Sequence, residues 1–204
     1  MRLTSIAFVS SAVVAVMAAP AGPVLATRTW TPSSSDGNII PRDVKDQGDG
    51  FYLAHFNGTE LEYVEFTPLS EFEPRAAVPH VTAREPTSSG LKKRSTTCSG
   101  RRTNNLGDLT RANVALANNG NGKWYNQHAW GWVHIGQDTS FFCNYQGNWL
   151  TYNLIIEMHT VVSSVCGENG YGYDRRTNSP QGPRDLSVGR TWRGDEFCAP
   201  GFKG

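Results

Sequence analysis

All four cysteines of this chain, Cys98, Cys143, Cys166 and Cys198, are confined to the segment from position 98 onward, and none precedes it. An even set confined to one segment predicts a small domain closed by two disulfides; spacing alone leaves all three pairings open. There is no C-x-x-C or H-x-x-x-H spacing of the kind that metal ligation uses, so neither a metal nor another cofactor is predicted. Each closed loop adds roughly 2 to 4 kcal/mol, which matters in a domain of this size.

The amino terminus fits an oxidising destination. Met1-Arg2 leads into the apolar run Ile6–Ala19, and no acidic residue occurs before Asp36. The run falls short of the roughly 20 apolar residues that span a bilayer. It ends at the small-x-small site Val16-Met17-Ala18, with Val24-Leu25-Ala26 as a later alternative. Residues 1–18 therefore read as a signal peptide, and no membrane span is predicted in the mature protein. Residues 19–94 read as a largely disordered pro-segment, because proline, serine and acidic residues are spread throughout it. Only Phe51–Phe66 alternates apolar and polar positions, around Asn57-Gly58, as one β-hairpin does; alone, a hairpin is marginal in water. Asn57-Gly58-Thr59 is also a glycosylation sequon, with Asn57 at the hairpin tip.

The proline-containing stretch 74–91 then delivers Lys92, Lys93 and Arg94, a site for a kexin-type processing protease. Cleavage after Arg94 gives three parts: signal peptide 1–18, pro-segment 19–94 and mature domain 95–204. Two further dibasic pairs, Arg101-Arg102 and Arg175-Arg176, lie near cysteines and are expected to be protected by the fold. Charge over 95–204 is only slightly positive, so no nucleic-acid partner is expected.

Within 95–204 the sequence predicts two helices. The first starts near Asp108 as its N-cap, presents Leu109, Ala112, Ala115 and Leu116 on one face, and stops at Gly120. The second carries Leu150, Leu154, Ile155, Met158, Val161, Val162 and Val165 at helical spacing and ends at Gly167. Between them, 128–145 alternates through two aromatic-rich strands around Gly136-Gln137-Asp138. Short strands are predicted around 95–100 and 190–198, and irregular loops over 118–127 and 169–189. The order strand, helix, hairpin, helix, strand predicts an α+β, disulfide-stabilised split βαβ sandwich, with two helices on one face of a three- to four-stranded antiparallel sheet.

A leader, a pro-segment ending in Lys-Lys-Arg, and a small domain marked by CSG at 98–100, FFCNY at 141–145, SVCG at 164–167 and RGDEFC at 193–198 resemble secreted cysteine-rich proteins of filamentous fungi, akin to the killer-toxin and necrosis-inducing effector class. The resemblance implies a secreted, virulence-related protein that acts outside the cell by binding a host or competitor target, rather than by catalysis. Two other readings remain. His128, His134, His159, Glu157 and Arg190 supply the residue types of a small secreted ribonuclease: proton donor, proton acceptor and phosphate-binding cation. Trp124, Trp130, Trp132, Trp149 and Trp192 suggest a module for cell-wall glycans; Trp124, in its Asn/Gly-rich loop, and the adjacent Tyr125 are the binding candidates. Arg193-Gly194-Asp195 reads as a polar turn.

Overall fold

The computed structural model describes residues 28–30, 44–57, 60–71, 93–177 and 183–198. Residues 1–18, read from the sequence as a signal peptide, Lys92 and much of 19–94, read as a pro-segment, lie outside these residues. Strands β1 (Arg28–Trp30), β2 (Gly50–Asn57), β3 (Glu60–Pro68) and β4 (Lys93–Arg102) precede helix α1 (Leu106–Asn119). Then follow β5 (Lys123–Tyr125), β6 (Ala129–Ile135), β7 (Asp138–Asn144), β8 (Asn148–Leu150), helix α2 (Tyr152–Cys166), β9 (Gly170–Thr177) and β10 (Asp185–Trp192).

The α+β class, the two helices and the antiparallel sheet agree with expectation, but the sheet is larger. It has eight strands in the order β1-β3-β2-β6-β7-β10-β9-β4, and β5 and β8 form a separate two-stranded ribbon. Four strands make the difference from a three- to four-stranded sheet: β1, which pairs with β3, the hairpin β2–β3, and β9. The hairpin β2–β3 does not stand alone: β2 pairs antiparallel with β6, from Gly50 opposite His134 to Ala54 opposite Trp130. In addition, 170–177 is a strand where a loop was expected. Its inward positions carry a buried ion pair, Asp174 with Arg176 at 3.1 Å, instead of apolar residues, so alternation of hydrophobicity does not reveal it.

Both sheet faces are apolar. On one face Phe51, Leu53, Val133, Phe142 and Val188 meet α1 and α2 in a common core. The opposite face is an aromatic layer in which Tyr52 stacks on Trp132, with ring centroids 5.1 Å apart and planes 4° apart. Phe197, from the tail after β10, closes that layer by stacking on Phe141 at 4.6 Å.

Asn105, not Asp108, caps α1: its side chain accepts from the Asp108 amide at 3.2 Å, and its Nδ2 donates to Asp108 Oδ2 at 2.7 Å. Thr151 caps α2, so Leu150 belongs to β8, and Val165 points to solvent instead of to the core. Gly167, at φ 86°, ends the helix where a side chain would be strained. The disulfides pair Cys98 with Cys166, joining β4 to the end of α2, and Cys143 with Cys198, joining β7 to the tail. In the chain-entropy account, closing loops of this length contributes about 4 kcal/mol each.

Candidate functional site

The most exposed aromatic surface among the described residues lies on the ribbon. Trp124 on β5 is directly opposite Trp149 on β8, and their side chains are 55% and 56% exposed. Cross-strand partners project from the same face with Cβ atoms roughly 5 Å apart, so the indoles form one surface. Strand alternation turns the neighbouring Tyr125 inward: it is 4% exposed and meets Phe142 edge-on at 4.9 Å. Tyr125 therefore supports the platform from the core and is not part of its outer face. Burial also raises the Tyr125 phenol above its ordinary pKa.

Two buried asparagines hold the ribbon in place. Asn144 Nδ2 donates to the carbonyls of Tyr125 at 2.9 Å and Asn126 at 2.7 Å, and Asn148 Nδ2 donates to Asn144 Oδ1 at 2.6 Å. Asn148 Oδ1 in turn accepts from the Arg184 amide at 2.8 Å. The Trp124 ring lies against Gly147 so closely that a Cβ there would collide with it. The platform is thus fixed before any ligand arrives.

Elsewhere a concavity of about 430 Å³ opens between the end of β4, the start of α1 and the β6–β7 turn. Asp138 on its wall accepts from Tyr171 Oη at 2.8 Å and Thr103 Oγ1 at 3.0 Å. Burial pushes the Asp138 carboxyl above its usual range; burial and the bond to Asp138 push the Tyr171 phenol up to about 12. The Arg101 guanidinium lies 4.1 Å over the Trp192 ring. Asp108 is engaged by Asn105 and, at 3.2 Å, by Arg111. These carboxylates are committed to neighbouring side chains, which leaves this cleft a weaker candidate than the ribbon.

The acid–base set does not converge. His159, on the buried face of α2, and Arg190, on β10, are both buried, with His159 Nε2 3.0 Å from Ser140 Oγ and Arg190 donating to the carbonyls of Gly170 and Gly167 and to Ser163 Oγ. Burial lowers His159 to about 3 and Arg190 to about 10. Glu157 turns to Arg176 at 3.1 Å. His134 bonds Thr139 at 2.7 Å on the other sheet face, lowered to about 4 by burial and by Arg193, while His128 precedes the opposite end of β6.

Arg193 of the Arg-Gly-Asp tripeptide is bound to Asp46 and Asp49, and Asp195 accepts from Thr191. Asn57 is exposed at the end of β2. Lys93 and Arg94 begin β4, opposite Thr177 and Arg176. Arg175-Arg176 lies in an interior strand, between β10 and β4. Among the described residues there is no group of three His, Cys, Asp or Glu placed to hold a metal, and no helix long and apolar enough to cross a membrane.

The sequence grouped Trp149 with the other tryptophans but did not pair it with Trp124, because the residues after it read as the start of a helix. Its position opposite Trp124 depends on a three-residue strand that periodicity cannot detect. No family model, curated protein or solved structure matches the chain.

Proposed function

We propose that the chain is a secreted effector-like or toxin-like protein, processed by cleavage after Arg94, that binds a polysaccharide on a host or competitor cell wall through Trp124 and Trp149. The observation that carries this reading is the pair of opposed, half-exposed indoles on an anchored ribbon. A single exposed apolar residue needs no explanation, but two on one rigid face form a patch. Exposure at this level leaves on the order of 100 Å² of each ring in water, worth ~2.5 kcal/mol per ring at about 25 cal/mol/Å². An exposed apolar surface beside the Asn/Gly-rich loop is complementary to the C–H face of a sugar ring, whose hydroxyls would meet the polar loop. The two disulfides and the layout shared with the killer-toxin and necrosis-inducing class support an extracellular setting. The ribonuclease reading gains nothing from the histidines: His159 is on the buried face of α2, and His128 and His134 flank opposite ends of β6.

The test is sedimentation of the protein with insoluble chitin and β-glucan particles, beside an RNA-degradation assay. Trp124→Ala and Trp149→Ala should each weaken polysaccharide binding about 10-fold or more while thermal stability changes little. Binding that survives the double substitution, or no binding to either polymer, would refute the proposal; robust RNA cleavage would favour the enzyme.

A further inference from the structure

We infer that cleavage after Arg94 does not release the pro-segment, because the hairpin β2–β3 and the segment 44–49 before it form a built-in second chain that stays docked on 95–204. The inference rests on the processing reading above and concerns what cleavage produces.

The docking surface continues the core. Phe51 and Leu53 are buried with the helix-face cluster, whereas Tyr52, Val64 and Phe66 are buried with the aromatic layer on the other face. Both sides of the hairpin therefore contribute to the two cores, and β2 adds a run of backbone pairs to β6. Phe66 packs on Tyr52 at 4.6 Å, and Tyr52 on Trp132.

Ionic contacts fix the segment before β2. Arg193 donates from Nη2 and Nε to the two Asp46 oxygens at 2.6 and 2.7 Å, and from Nη1 to Asp49 at 2.7 Å. Asp49 Oδ2 also accepts from the Gly136 amide at 3.0 Å. The Arg193 contact lowers the Asp46 carboxyl to about 2, so the pair persists at ordinary acidities.

The cut lies far from this surface. β4 is one edge of the sheet and β2 lies near the other, so cleavage after Arg94 detaches only the first two residues of β4 and no contact of the hairpin. Both disulfides lie within 95–204, so the two chains would be held without a covalent bond. Losing the hairpin would open the β6 edge and uncover Trp132, giving an unpaired strand beside an aromatic patch.

The experiment starts from purified, folded full chain, so no variant has to fold without its hairpin. In one arm a kexin-type protease acts on the native site. In the other, the recognition sequence of an unrelated site-specific protease replaces residues within 80–90 and is cut. Native size-exclusion chromatography with intact-mass detection should find both fragments in one peak after nicking, separating only in denaturant. Separation into two peaks in native buffer, with 95–204 eluting alone as a folded monomer, would overturn the inference. If the kexin-type protease leaves the chain intact while the fragments of the second arm co-elute, the docking stands and the processing reading falls.

Discussion

His159 should make the fold acid-sensitive above the range in which carboxylates titrate. The ring is 4% exposed, its Nε2 is 3.0 Å from Ser140 Oγ, and its Nδ1 has no hydrogen-bond partner among the described residues. Burial, with the Arg190 charge as a smaller cause, lowers its pKa from 6.5 to about 3, so the folded state keeps it neutral. The unfolded chain binds this proton below about pH 6.5 and the folded chain does not, so stability falls as pH drops through the interval between the two values. At pH 4.5 the unfolded ring is protonated by about two pH units, worth ~3 kcal/mol lost relative to pH 7.5. His159→Gln keeps an amide for Ser140 and removes the titration. Urea denaturation at pH 7.5 and 4.5 should show the variant less stable at the higher pH, with the pH-dependent loss smaller than in the parent by ~3 kcal/mol. An identical loss in both proteins would refute the argument. His134, lowered to about 4 by burial and by Arg193, contributes in the same direction and remains as background in both.

Arg176→Met should cost about 3 to 5 kcal/mol by urea denaturation, because it removes the guanidinium bonded to the fully buried Asp174; a loss under about 1 kcal/mol would contradict the burial of the pair, and Asp174→Asn should cost less, since Arg176 keeps its contact with Glu157. Glu157→Gln should cost under about 1 kcal/mol, since that carboxylate is on the surface. All four cysteines should resist alkylation until reduced, and peptide mapping should recover Cys98 with Cys166 and Cys143 with Cys198; a reactive thiol in the folded protein or another pairing would refute the arrangement.

Elements whose buried face is apolar were legible in the sequence. Leu109, Ala112 and Leu116 mark α1, Ile155, Met158 and Val162 mark α2, and the alternating aromatics mark β6 and β7. β9 was not legible because Asp174 and Arg176 satisfy each other where apolar residues would ordinarily sit. β5 and β8 are three residues each, too short for a period, so Trp124 stood out only through its loop and Trp149 was one of five tryptophans with nothing to set it beside Trp124. The hairpin β2–β3 was visible as local alternation. Its pairing with β6 spans about eighty residues of chain, and no local pattern encodes a contact at that separation.

The arrangement couples the tail to the hairpin. Cys198 fixes the tail to β7, and the same short tail carries Phe197, which roofs the aromatic layer, and Arg193, which holds Asp46 and Asp49. Tyr52 lies in that layer, so the hairpin is held from one side by β6 and from the other by a tail ordered through the Cys143–Cys198 bond. Reducing the bond frees the tail, and with it Arg193 and Phe197, from the conformation that favours the docked hairpin. The converse follows by linkage: a docked hairpin stabilises the tail position in which Cys198 meets Cys143. On the processing reading proposed above, the hairpin would therefore favour correct closure of a disulfide that lies wholly outside it, a physical reason for carrying it on the same chain while the cysteines pair.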